Sequence, residues 1–336
     1  MPLDPVLSIL DLVPVPRGGS PADSLATSVE LARRAEAAGF RRVWYAEHHN
    51  MPAIASSATA VVIAHVAAHT VRIRLGAGGV MLPNHAPLVV AEQFGTLASL
   101  HPGRIDLGVG RAPGTDPRTL RALRRDPSAA DTFPSDVQEL QGYLRGPSLV
   151  PGVEAIPGRG TDVPLYILGS SLFGAQLAAL LGLPYAFASH FAPDALEAAV
   201  ALYRDRFRPS AQLERPHVIA GVNVVAADTA AEAERQLAAT LRQRAVWFLG
   251  RGRALSDDEA DALLASPAGA HVRAMLTYAA VGTPGTVADE LRAFAAHADA
   301  DECMVALQSP TAEGRLRSLQ LLAEALPQQH PASAGR

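Results

Sequence analysis

IRLGAGGVML (Ile73–Leu82), PLVVAEQFGTLASL (Pro87–Leu100) and IDLGVG (Ile105–Gly110) follow one another with only short breaks between them. The outer two are apolar on both faces, as strands covered on both sides must be. The middle one opens on Pro87, a residue suited to the first helical turn, and repeats apolar residues at helical spacing. Strand, helix and strand in this order form a crossover unit, and crossover units build parallel sheets.

The same rhythm runs outward in both directions. Upstream, Leu7 to Leu12 reads as a strand, Ser24 to Ala38 as a helix closed by Gly39, Arg42 to Ala46 as a strand and Ser57 to His69 as a helix. Downstream comes an insertion, Arg111 to Asp162, with one helix around Ser135 to Leu144. Then follow the strand Leu165 to Leu168 with a helix to Leu181, the strand Tyr185 to Ala188 with a helix to Arg206, and the strand Val218 to Ala226 with a helix from Thr229. A polar stretch, Gly250 to Gly282, precedes the helix Pro284 to His297. The strand Glu302 to Leu307 and the helix Gly314 to Leu326 close the series. Eight strand-then-helix units predict an α/β fold, a single (β/α)8 TIM barrel over residues 1–336, with insertions after strands four and seven. A doubly wound open sheet is the competing arrangement.

Composition narrows the chemistry. Hydrophobic residues make up 49% and charged residues 18%, ample material for a large core. A net charge of −4 argues against nucleic acid or an anionic membrane as partner. All 29 basic residues are arginine, which excludes Schiff-base, pyridoxal-phosphate and lysine-dependent P-loop chemistry. One cysteine, Cys303 in the apolar ECMVAL, leaves no disulfide framework and reads as a buried strand residue. No apolar run reaches the ~18 residues of a membrane span and no signal-peptide pattern opens the chain, so a cytoplasmic protein is expected.

In a parallel barrel, chemistry gathers at the C-terminal ends of the strands. There this sequence places AEHHN (Ala46–Asn50), GAGGVMLPNH (Gly76–His85), GRAPGTD (Gly110–Asp116), LGSSLFG (Leu168–Gly174) and SHF (Ser189–Phe191). Glycines inside an apolar strand mark either a packing bulge or a close approach to the backbone, by protein or by a flat ligand. Arg111 after the fourth strand and the serines opening the helix after the fifth suit an anion, although Ser171 also reads as a plain helix cap. Gly108-x-Gly110 makes a weak dinucleotide fingerprint, because Arg111 occupies the turn. Of the neighbours His48 and His49, only one should face the barrel axis.

The blocks GFRRVWYAEHHN (Gly39–Asn50), LGAGGVMLPNHAPLVVAEQFGTL (Leu75–Leu97), PGRIDLGVGRAPGTD (Pro102–Asp116) and PLYILGSSLFGAQLAALLGLPYAFASHF (Pro164–Phe191) resemble the bacterial luciferase-like monooxygenases. The likeness is nearest to their single-chain flavin oxidoreductase subgroup and covers nearly the whole chain. It implies an FMN phosphate held by Arg111 and Ser171, extended to Ser170, Leu172 and Gly174. It also implies a cis peptide at Gly78–Gly79 beneath the flavin ring, and His48 as the flavin-facing catalytic residue. Asn84, His85 and His190 are expected to line the flavin or substrate pocket. The luciferase chain has a reactive cysteine where this sequence has Gly110, so no cysteine enters the expected mechanism.

The activity implied is two-component monooxygenation: a transient partner, a flavin reductase, supplies reduced FMN, which with O2 oxygenates a small organic substrate. Alternatives are hydride transfer with the deazaflavin F420 on the same barrel, and a flavin-binding protein without turnover. A zinc site built from His48, His85 and His190 lacks the usual ligand spacings, and no metal is expected. Residues 250–283 are a candidate lid. The resemblance further implies a homodimer through the helices at Ser57–His69 and Pro87–Leu100.

Overall fold

The structure, a computed structural model, describes residues 4–112, 116–250 and 253–328. Its strands are β1 (Val6–Asp11), β2 (Arg42–Tyr45), β3 (Arg74–Met81), β4 (Ile105–Gly110), β5 (Leu165–Gly169), β6 (Tyr185–Phe187), β7 (Val218–Ala226), β8 (Ala279–Gly282) and β9 (Glu302–Leu307). β1 to β7 pair in parallel in chain order, β7 pairs with β9, and β9 returns to β1. Eight parallel strands therefore close on themselves, and the TIM barrel is formed. β8 stands outside the ring, pairing Ala279–Gly282 with Asn223–Ala226 of β7.

The helices are α1 (Pro21–Ala37), α2 (Thr59–Ala67), α3 (Pro87–Leu100), α4 (Pro117–Ala122), α5 (Phe133–Arg145), α6 (Leu172–Leu181), α7 (Leu196–Arg206), α8 (Ala230–Leu249), α9 (Asp257–Ala265), α10 (Ala270–Ala274), α11 (Pro284–His297) and α12 (Ala312–Ala325). Among the described residues no helix is long and apolar enough to cross a membrane.

Two expectations need correction. The insertion after β4 holds α4 as well as α5. Asp116 caps α4 by accepting from the N–H groups of Arg118 and Thr119, but none of its six residues is buried, so it leaves no apolar stripe in the sequence. The polar stretch from Gly250 to Gly282 also carries regular structure. Ser256 and Glu259 form a reciprocal capping box at the start of α9. β8, only four residues long and alternately half-buried and buried, is too short to show periodicity. Of this stretch, residues 251 and 252 lie outside the described residues, as do Pro113, Gly114 and Thr115 of the GRAPGTD motif.

Side chains alternate along each strand, so the barrel has an outer and an inner set. Outward residues such as Ile9, Val43, Leu75, Leu107, Ile167, Val222 and Val305 form the main core beneath the helices. Cys303 belongs there, fully buried, and burial pushes its thiol up to about 12. Inside the ring lie Leu10, Trp44, Ala46, Tyr166, Ala186, Ile219 and Met304.

Below them, at the N-terminal ends, the barrel is floored by charge. Arg42 Nη1 donates to Asp106 at 2.8 Å and to the Tyr166 hydroxyl at 2.7 Å, while its Nε lies 2.9 Å from Glu302. Trp44 Nε1 and Arg74 Nε also donate to Asp106, and Ser8 donates to Glu302. Burial alone would raise the Glu302 carboxyl. The Arg42 charge and the bonds from His217 and Ser8 outweigh it and hold the group at about 2.

Candidate active site

At the opposite end, β2 and β3 are tied by one carboxylate. The Glu47 main-chain N–H donates to Gly79 O at 3.3 Å, and its side chain accepts from Met81 N at 3.0 Å. Immediately before these two contacts lies the Gly78–Gly79 peptide, which is cis. His85 Nε2 meets Glu47 at 2.9 Å, His49 Nε2 at 2.8 Å, and Asn84 Nδ2 donates to it at 3.3 Å. Burial tends to raise the Glu47 carboxyl, but the His85 and His49 contacts and the Met81 N–H prevail and lower it. Asn84 and His85 are thus drawn together on Glu47, a residue the motif reading quoted without giving it a role.

The two glycines are required by the protein itself. A Cβ on Gly78 would fall 2.8 Å from Trp44, and one on Gly79 would fall 2.7 Å from the Gly108 carbonyl oxygen. That observation favours packing as the reason for glycine on this strand, while the step still presents bare backbone at the rim.

His48 continues the inward parity of Trp44 and Ala46, and its main chain is fixed by a bond from His48 N to Ser56 O. Its Nδ1 is buried without a hydrogen-bond partner. Burial lowers its pKa, against the opposing pull of Glu47. His190 stands against β7, where a Cβ on Gly221 would fall 2.2 Å from its Nδ1. Burial first, then the charges of Arg244 and His48, bring His190 down to about 4. Both imidazoles are therefore neutral near pH 7.

The three histidines weighed against zinc ligation do not form a ligand group among the described residues. Glu47, His49 and His85, not His48, His85 and His190, bring ligand-type atoms within 4.8 Å of one another. The Glu47 carboxylate in that cluster is already engaged by hydrogen bonds.

The third part of the rim joins β4 and β5. Arg111 directly follows β4 and lays its guanidinium over the Phe173 ring, 4.0 Å from the centroid. Phe173 is the second residue of α6, so Arg111 is held at that helix's first turn. Ser171 occupies the N-cap position with extended backbone, yet its side chain makes no capping bond. The plain-cap reading of Ser171 is thereby not realised. Ser170, Ser171 and Leu172 are exposed, and Gly174 is buried beside Tyr185, whose ring a Cβ would approach to 3.3 Å. An uncapped helix start with a guanidinium beside it suits an anion.

One rim residue was missed entirely. Arg244, on α8, reaches Gln308, just beyond the end of β9, and Asn223 within β7. Its signal lay in α8, where buried Ala233, Thr240 and Ala245 define an inner face that includes position 244.

A closed parallel barrel that gathers an arginine beside an uncapped helix start, a glycine step and two buried histidines at its C-terminal end is a TIM barrel arranged as enzymes of that fold are. The chain belongs to the luciferase-like monooxygenase family, whose family model matches residues 7–301. It is 48% identical over 319 residues to a luciferase-like monooxygenase of Escherichia coli K12, covering 94% of this chain and 95% of that one. It is 33% identical to the N-acetyl-S-alkylcysteine monooxygenase of Bacillus subtilis, over 95% and 98% of the two chains. The crystal structure of apo-MsnO8 superposes with a TM-score of 0.86 at 38% identity, covering 96% of this chain and 98% of that one.

Two more distant structures share the fold alone. One is the oxygenating constituent of 3,6-diketocamphane monooxygenase from Pseudomonas putida with FMN (15% identity, TM-score 0.73, 97% and 98% covered). The other is an F420-dependent secondary alcohol dehydrogenase (17% identity, TM-score 0.69, 96% and 99% covered).

Proposed function

We propose that this protein is the oxygenating half of a two-component system, taking reduced FMN from a separate reductase and using O2 to oxygenate a small organic substrate. The observation that carries the reading is the convergence of Arg111 with the uncapped start of α6. Arg111 and the Ser171 hydroxyl would hold the phosphate, with Ser170 and the backbone of Leu172 and Gly174 closing the cradle. The Gly78–Gly79 step would carry the ring.

Reduced flavin held there would, with O2, supply the oxidising chemistry, one oxygen atom going to the substrate and the other to water. The chain's own part is to orient, exclude water and manage protons. His48, neutral and facing inward, can accept or donate a proton at a ring nitrogen, and His190 completes a dry wall opposite. Asn84 and His85 act at one remove, by positioning Glu47 against β3. The segment 253–282 is a proposed lid. Its Ala260, Leu264 and Val272 pack with Ala245 of α8 apart from the barrel core, while β8 ties its end to β7, so closure would fall to the α9–α10 portion.

The test is an aerobic assay with FMN, a flavin reductase, isotopically labelled O2 and a panel that includes N-acetyl-S-alkylcysteines. Label in the product is the expected result. Tight binding of F420 with none of FMN would transfer the protein to hydride transfer. Stoichiometric FMN with no turnover of any substrate would leave it a flavin carrier.

A further inference from the structure

Across the barrel from Arg111, the ends of β7 and β9 carry a charge that the flavin reading does not use. Arg244 Nη2 donates to Gln308 Oε1 at 3.0 Å and to Asn223 Oδ1 at 3.4 Å. Its Nη1 is buried and has no hydrogen-bond partner. Both accepting oxygens belong to neutral amides, and the Asn223 amide nitrogen is committed to the carbonyls of His190, Met275 and Tyr278. Among the described residues no carboxylate forms an ion pair with Arg244. Burial alone therefore acts on it and lowers its pKa to about 10.

Arg42 shows the contrast. It is fully buried where Arg244 is half-buried, and it lies between Asp106 and Glu302. A guanidinium withdrawn from water without an opposing charge is costly, and natural interiors keep such a group only where something pairs with it. Next to Arg244 stands His190, which feels the charges of both Arg244 and His48; the Nδ1 atoms of the two rings are buried without a hydrogen-bond partner, that of His190 against Gly221 of β7. With the imidazoles unprotonated, Arg244 is the positive charge that faces this pair of rings.

We propose that Arg244 binds the carboxylate of the organic substrate, with Asn223 and Gln308 fixing the guanidinium plane and His48 and His190 lining the space between it and the flavin seat. A carboxylate fits better than a phosphate. One cation with no helix start beside it matches one negative charge, whereas the Arg111 cradle adds a helix dipole suited to a more highly charged group. The inference deepens the oxygenase reading and rests on it for the existence of an organic substrate.

The experiment titrates the wild-type protein by calorimetry, with and without saturating FMN. The probes are hexanoate, benzoate and N-acetyl-S-benzylcysteine, each against its primary amide. At least one carboxylate should bind about tenfold or more tightly than its amide, the range for a hydrogen bond to a charged group. Arg244→Gln should erase that preference and leave the FMN dissociation constant unchanged, and Arg244→Lys should retain part of it. Equal binding of acid and amide by the wild type would overturn the proposal without recourse to any variant. So would an Arg244→Gln protein that loses FMN in step with the carboxylate, because the anion would then be the cofactor's. Failure of the flavin reading has a different signature: no FMN bound, with the acid preference intact in the FMN-free titration.

Discussion

Arg111 and His48 stand on the same rim but differ in what surrounds them. Arg111 is exposed and held only by the Phe173 ring, so its guanidinium edge is free for a ligand. Removing it as Arg111→Ala should weaken FMN binding by about 1.5–3 kcal/mol, the worth of charge-assisted hydrogen bonds. Fluorescence titration of FMN measures this, and an unchanged dissociation constant would move the phosphate elsewhere. His48 has its Nδ1 buried and its backbone fixed to Ser56. His48→Ala should leave FMN affinity intact and lower turnover, read by steady-state assay beside the same titration. Lost affinity with normal turnover would contradict the role. Alternation alone showed that only one of His48 and His49 faces inward; the resemblance picked His48. Arg244 was not legible, because a long charged side chain on a helix usually lies along the surface with its head in water. Glu47 escaped for another reason: nothing in AEHHN tells which neighbour a buried acid will hold.

At the scale of elements, β3 is the most constrained strand. Gly79 faces the Gly108 carbonyl at a distance no side chain tolerates. Gly79→Ala should therefore cost about 1–3 kcal/mol through overpacking, with FMN bound less tightly as the step shifts. Denaturant melts and flavin titration on one preparation test both. Elements that are long and apolar were legible to the residue: α3, β4, β7 and β9 begin and end where the pattern places them. α4 and β8 were not, since a short exposed helix and a four-residue strand carry too few buried positions to form a period. The capping box of α9 was readable as Ser256 and Glu259, but the charged run around it hid the apolar positions that follow.

For the whole molecule, the charged floor sets the response to acid. Glu302, held near 2, binds fewer protons folded than unfolded, and Asp106 is shifted the same way. Their contribution is fully present above the ordinary carboxylate range and is lost as pH falls through the folded values, between about pH 5 and pH 2. Thermal melts across that window should show falling stability. Glu302→Gln should destabilise the fold by about 3–5 kcal/mol at neutral pH, by leaving Arg42 half-paired, and should flatten the acid slope. The proposed homodimer belongs to this scale as well. Val61 on α2 and Val89 and Leu100 on α3 are 69%, 45% and 64% exposed, apolar positions on the two helices singled out for pairing. Val61→Glu with Leu100→Glu should shift the sedimenting species to the monomer. A wild type that sediments as a monomer would dismiss the dimer.

The same floor governs traffic. Arg42, Asp106 and Glu302 are at most 1% exposed, and Trp44 and Tyr166 lie over them, so the lower end of the barrel offers no passage. The interior is a well with one mouth. Whatever reacts there, and whatever is made there, must cross the same rim in opposite directions, and a bulky molecule seated at that mouth delays the next arrival. Order of entry and release is thus written into the architecture before any particular substrate is chosen.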